Sequence, residues 1–177
     1  MPLSVWERVL AANLTTTFLC CKHAIPYLLE NDPPTGSIIN TASFLAVMGA
    51  ASSQMAYSVA KAGVVQLSRD LGVHLARRGV RVNVLILGPI ETPQLHALFE
   101  DIGDDEIARR FVRYPMGRFG TPKELAGTVA YLASDGAGFI TGAAFPLDGG
   151  ITSAFTVPSR TNARATCLAC GAAGRVR

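Results

Sequence analysis

The sequence predicts an α/β protein: a parallel sheet flanked by helices. Three observations predict it. Helical and strand patterns alternate in the order α-β-α-β-α-β, which calls for parallel strands joined by right-handed helical crossovers. SIINTAS (residues 37–43) is too continuously apolar for a half-exposed strand and suits one covered on both faces, and VRVNVLIL (residues 80–87) reads as a second buried strand. The first and last helical stretches open on SVWE and TPKE, each with the spacing of a capping box.

The elements follow in order. A first helix is expected from Ser4 to about Leu29, with Ser4 as cap, Glu7 reaching back, and Pro26 kinking the last turn. NDPPTG (31–36) is a turn that leads into the first strand. A small-residue loop fills 44–53. The second helix is expected from about Gln54 to Arg78, capped by Ser53, with Arg77 and Arg78 at its negative end and Gly79 as the stop. The second strand, 80–87, ends at GPIETP. Residues 95–120 mix aromatics with charges and read as irregular or short-helical. TPKE opens a third helix, with Pro122 at its first position, that ends near Ser134. AAFPLDGG (143–150) reads as a last strand and turn. There is no internal repeat. The chain divides into one domain, 1–158, and a tail, 159–177, expected to be disordered.

Composition bounds the function. A chain of 177 residues, 49% hydrophobic, can bury one domain's core. No apolar run reaches the roughly 18 residues of a membrane span, so a soluble protein with no membrane partner is expected. Glu7 and Asn13 interrupt the opening stretch and argue against a signal peptide. The net charge of +3 belongs to the tail, which holds four arginines and no acid. The body is near neutral and gives no electrostatic reason to expect a nucleic-acid partner. Cys20 and Cys21 are adjacent, and Cys167 and Cys170 lie in the tail, so the four form no disulfide framework and suit a reducing, cytoplasmic compartment. CLAC supplies only half a zinc set, and His23, His74 and His96 share no ligand spacing, so no metal site is expected.

In open parallel sheets, ligands bind beyond the carboxyl ends of the strands. Ser43 closes the first strand; Gly88 and Pro89 close the second, with Thr92 just after. Tyr57 and Lys61 open the intervening helix, and their i, i+4 spacing puts them on one side of it. A free phenol titrates near pH ~10. A neighbouring ammonium favours the phenolate and tunes it for proton transfer to a carbonyl oxygen or from an alcohol. Ser43 could hold the same oxygen. The hydride needs a nicotinamide, because no side chain can supply one. Asn40 and Asn83 read as structural amides that bond between strands and loops. Met116 and Phe119 either touch substrate or pack a lid.

The pieces WERVLAANLTTTFLCCKHAIPYL, GSIINTAS, YSVAK, RVNVLILGPIETP, GRFGTPKELAGTVAYLASD and ITGAAFPLDGG, in this order, resemble the short-chain dehydrogenase/reductase family from about Leu3 to Gly150. The resemblance implies a doubly wound, Rossmann-like sheet. It implies Tyr57 as catalytic acid/base, Lys61 as the residue that lowers its pKa and binds the nicotinamide ribose, Ser43 as substrate-orienting, and Asn13 as holder of a proton-relaying water. Gly88, Pro89, Ile90 and Thr92 would line the nicotinamide pocket, with Thr92 near the carboxamide or phosphate. Residues 93–120 would be a lid. The implied cofactor is NAD or NADP. The implied substrate is a small carbonyl/secondary-alcohol pair of sugar, steroid-alcohol or oxoacyl type. A full-length parent would be a homodimer or homotetramer.

The chain also departs from the family pattern. It begins at the pattern's fourth helix, without the glycine-rich nucleotide loop, the cofactor-selecting residue or the Asn-Asn-Ala-Gly stretch. It therefore corresponds to the second half of the domain, with three strands. DGAGFITG (135–142) follows a helix, not a strand, and is no substitute. Leu87 stands where the family usually has proline. Such a half-sheet is expected to expose an apolar edge, and to be poorly stable or to associate. The alternative reading is a catalytically inactive fragment that serves only as an oligomerisation or interaction module through its two long helices.

Overall fold

The computed structural model describes residues 1–33, 35–50, 52–100 and 113–154. The tail, with its expected disorder and its CLAC pair, and residues 101–112 of the expected lid lie outside the described residues. Helix α1 (Leu3–Leu10) starts one residue before the serine expected to cap it. The carbonyl of Pro2 already accepts from Val5 and Trp6, at 3.1 and 3.2 Å. Ser4 therefore falls inside the first turn, and no side chain caps the end. The helix then widens into a π-helical turn, Ala11–Thr15, before α2 (Thr16–Leu29). Around this turn, the hydroxyls of Thr16 and Thr17 donate back to the carbonyls of Ala12 and Asn13 (2.8 and 3.1 Å).

Strand β1 (Gly36–Ser43) leads through a short 3₁₀ turn, Phe44–Ala46, towards α3 (Met55–Leu75). The cap position of α3 is Gln54, with no side-chain bond, so the expected Ser53 cap is not made. A 3₁₀ turn, Ala76–Arg78, closes the helix, and Gly79 stops it in the left-handed region (φ 77°). Strand β2 (Val80–Leu87) has the expected bounds. Helix α4 (Pro93–Glu100) is capped by Thr92, whose Oγ1 accepts from the Leu95 amide at 3.2 Å. Helix α5 (Pro122–Ala133) carries the expected box: Thr121 accepts from the Glu124 amide, and the Glu124 carboxylate accepts from the Thr121 amide. Strand β3 (Ala144–Leu147) is shorter than expected.

The three strands are parallel in the order β1-β2-β3. Register runs from Gly36 opposite Val80 to Ser43 opposite Leu87, then from Val84 opposite Ala144 to Leu87 opposite Leu147. Strand alternation splits the core into layers. Even-numbered Ala42, Val84 and Ile86 pack on Val64 and Val65 of α3, while Val80 and Val82 pack on Leu75 and α2. Odd-numbered Ile39, Leu85 and Leu87 pack on Leu125 and Leu132 of α5. Helices α1–α3 thus cover one face and α5 the other. At Gly72, α3 runs close against the chain entering β3: a Cβ there would lie 2.5 Å from the Gly142 amide nitrogen.

Candidate active site

Lys61 lies one helical turn after Tyr57 near the start of α3, and its Nζ sits 5.6 Å from the centroid of the phenol ring. Its hydrogen bond goes to the carbonyl of Thr41 on β1, at 3.1 Å, rather than to the phenol oxygen. The ammonium is half-buried, and burial pulls its pKa below the ordinary lysine value. An ammonium has three donors, so two remain for other acceptors.

Ser43 is buried at the carboxyl end of β1. Its Oγ accepts from the Leu45 amide at 3.2 Å, which orients the hydroxyl and leaves its proton to donate. Directly across the sheet from Ser43 is Leu87, and the loop of Gly88, Pro89 and Ile90 follows it. This loop is tied by its backbone. Gly88 donates to Leu147 at 2.9 Å, Pro89 accepts from Gly120 at 3.0 Å, and Glu91 donates to Gly120 at 2.7 Å. Thr92 spends its side-chain oxygen on capping α4.

Asn13 lies at the middle of the π-helical turn, and its amide donates to the Val9 carbonyl at 3.1 Å. That turn packs against α3, where a Cβ on Gly63 would lie 2.8 Å from Leu14 Cδ2. The structure therefore brings Tyr57 and Lys61 together and sets Ser43 and the Gly88–Ile90 loop on the same end of the sheet. It places Asn13 on the segment packed beside α3.

A cleft of about 490 Å³ opens on the α5 side of this loop. Pro89, Ile90, Met116, Phe119, Tyr131 and Ile151 are among its lining residues. Tyr57, Lys61, Ser43 and Asn13 do not line it. Asp148, at its edge, ties the turn after β3: its carboxylate accepts from the Gly150 amide and from the Thr152 amide and hydroxyl. Burial pushes Asp148 up, but these donors outweigh it and hold the carboxyl below its ordinary value.

The two structural asparagines differ. Asn83 behaves as expected: its amide donates to Ile140 at 2.9 Å, and its oxygen accepts from Ala143 at 3.1 Å, joining strand to loop. Asn40 instead joins strand to helices. Its amide donates to Ser68 Oγ of α3 at 2.9 Å, and Cys21 Sγ of α2 lies 3.6 Å from it. Burial pushes the Cys21 thiol up, against a lowering by the Asn40 bond. Sequence reading passed over Ser68 and weighed Cys21 only for disulfide pairing. The available signal was Ser68, seven residues after Lys61 and so on the same helical stripe. Among the described residues, no cluster of three or more potential ligands could hold a metal, and no helix is long and apolar enough to cross a membrane.

Residues 1–152 match the family model described as enoyl-(acyl carrier protein) reductase. A 2-(S)-hydroxypropyl-CoM dehydrogenase of Xanthobacter autotrophicus is 40% identical over 85% of this chain and 58% of its own length. A short-chain type dehydrogenase/reductase from Mycobacterium marinum superposes with a TM-score of 0.76 at 33% identity, over 87% of this chain and 59% of that one. The chain belongs to the short-chain dehydrogenase/reductase family. A further member, from Agrobacterium tumefaciens and assigned as a 2-deoxy-D-gluconate 3-dehydrogenase, was solved with bound NADP. It is 31% identical, with a TM-score of 0.76 over 84% of this chain and 59% of its own. This short-chain dehydrogenase/reductase chain thus spans somewhat under two thirds of these relatives' lengths.

Proposed function

We propose that this chain carries the reaction end of an NAD(P)-dependent oxidoreductase that interconverts a carbonyl and a secondary alcohol. The supporting observation is the Lys61 ammonium over the Tyr57 ring, 5.6 Å from its centroid, at the sheet end that also holds Ser43. A nicotinamide bound at that end supplies or accepts the hydride. The donor set suits such a group: Lys61 keeps two donors for ribose hydroxyls, and the apolar Pro89 and Ile90 follow β2 at the same end of the sheet. In the reductive direction, Ser43 donates to the substrate oxygen and Tyr57 transfers its proton there as the oxygen gains charge. Lys61 stabilises the resulting phenolate. Asn13, on the segment beside α3, serves a water-mediated path that returns the proton. Thr92 keeps its hydroxyl proton for a cofactor acceptor while its oxygen caps α4. The substrate is a small molecule, the setting is cytoplasmic, and the assembly is a homodimer or homotetramer.

The second reading is an inactive interaction module. Its support is the apolar surface on the helices: Phe18, Tyr27, Val59 and Val73 are exposed, Val73 at 77%. One set of measurements separates the two readings. NADH or NADPH is titrated against the chain by fluorescence, and turnover is followed for the chain and for Tyr57→Phe. The oxidoreductase reading expects micromolar binding by both proteins and at least a ~100-fold loss of turnover in the variant. Turnover retained by Tyr57→Phe overturns the assigned mechanism. Absence of cofactor binding favours the module.

A further inference from the structure

We propose that the buried hydrogen bond between Asn40 and Ser68 is a positioning device: it sets the lengthwise register of α3 on β1 and so holds the Lys61 ammonium on the Thr41 carbonyl, at the end of the sheet where Ser43 lies. The proposal rests on the reading that Tyr57 and Lys61 carry the chemistry. On the same face of the sheet, Ala42, Val84 and Ile86 pack on Val64 and Val65 of α3 in an apolar cluster. Apolar contact sets the spacing between helix and strand but is non-directional, so it resists sliding weakly. A hydrogen bond has a narrow range of allowed distance and angle. The one here is 2.9 Å long, between side chains 8% and 0% exposed.

The bond sits where register matters to Lys61. Ser68 follows Lys61 by seven residues and Tyr57 by eleven, which puts each of them within about 20° of Ser68 on the helix circumference. On the strand, Asn40 immediately precedes Thr41, whose carbonyl accepts from Lys61 at 3.1 Å. Adjacent strand residues therefore tie down the same helix at two levels. Sliding α3 by one residue moves it about 1.5 Å, which breaks a bond of that length. The cluster is internally complete: Ser68 Oγ also donates to the Val64 carbonyl at 2.7 Å, Cys21 lies against Asn40, and no buried side-chain polar atom among the described residues lacks a partner. A satisfied polar group inside an apolar layer favours one arrangement over its neighbours.

The test is nuclear Overhauser contact between the Lys61 ε-methylene on α3 and the protons of Thr41 and Ala42 on β1. It is measured in the 177-residue chain, in Ser68→Ala, and in the double variant Asn40→Leu/Ser68→Ala. The double variant removes both polar partners, so it leaves no orphaned amide and keeps the core apolar. Leu132→Ala, on the opposite face of the sheet, is the control for general destabilisation. The expected result is at least a threefold weaker contact of Lys61 with Thr41 and Ala42 in the folded double variant and full contact in Leu132→Ala. Unchanged contact in the folded double variant overturns the proposal. So does failure of both Ser68 variants to fold, which would make the bond a requirement of stability. The Overhauser contact needs no turnover. Turnover retained by Tyr57→Phe would therefore remove the catalytic reading while leaving the register result intact.

Discussion

Helices α3 and α5 cover opposite faces of one sheet and are held by opposite means. Helix α3 is pinned along its length, by the buried Asn40–Ser68 bond and by the close approach of Gly72 to Gly142. Helix α5 is clamped at its ends. Thr121, Glu124 and Arg118 lock its start, and Ser37 and Arg81 both donate to the Leu132 carbonyl near its finish. The difference follows from what each carries. Terminal clamps keep a cover in place and satisfy the free backbone groups of a helix end. A helix that must deliver two side chains to one point needs restraint in the direction of its axis, close to those side chains.

The largest expected effect probes the α3 side. Gly72→Ala would press a methyl onto the Gly142 backbone and, at 2.9 Å, onto the Val82 carbonyl, atoms that cannot swing aside. We expect a loss of about 3 kcal/mol in urea unfolding. A loss under about 1 kcal/mol would mean that α3 can ride up off the sheet, and the contrast with α5 would fail. Next is Asn83→Ala, which strips the loop before β3 of its side-chain ties to a fully buried strand residue. About 2 kcal/mol is expected, with faster hydrogen exchange at the Ala143 amide as the local sign.

The smallest effect sharpens the comparison through pH. The Arg118 guanidinium, with the Thr121 amide and hydroxyl, holds Glu124 down at about 2, against an ordinary 4.5. A carboxyl depressed in the fold contributes stability that is complete above the ordinary value and is lost as pH falls through the folded one. Glu124→Gln should therefore lower Tm slightly near pH 6, and the difference should close between about pH 4.5 and 2. The Asn40–Ser68 bond has no titrating member, so the Tm gap between the chain and Ser68→Ala should stay constant over that interval. A gap that closes with acid in both cases would erase the distinction.

Much of this was legible in the sequence because local chemistry decided it. The largely apolar run of residues 80–87 became β2 without change, and Thr121 capped α5 as its spacing required. Ser4 and Ser53 carried the same kind of signal and failed, for a physical reason. A cap is selected by where the helix's first carbonyls find donors, and at the front of the chain Pro2 won that competition. The i, i+4 spacing placed Tyr57 and Lys61 on one face, but not the partner that Lys61 takes, because a main-chain carbonyl on β1 leaves no trace in composition. Asn40 announced itself as a polar residue in an apolar run. Its partners lie 19 and 28 residues away and depend on tertiary packing.

The wide turn at Ala11–Thr15 has a consequence of its own. A π-helical turn accommodates one more residue than the ordinary helix, so it resets the angular phase of the segment. Removing one residue there would restore a regular spiral and rotate everything ahead of it by about 100° relative to α2. The faces of α1 and α2 are therefore separately adjustable: a single codon gained or lost re-aims the front of the chain while Cys21 stays seated on Asn40.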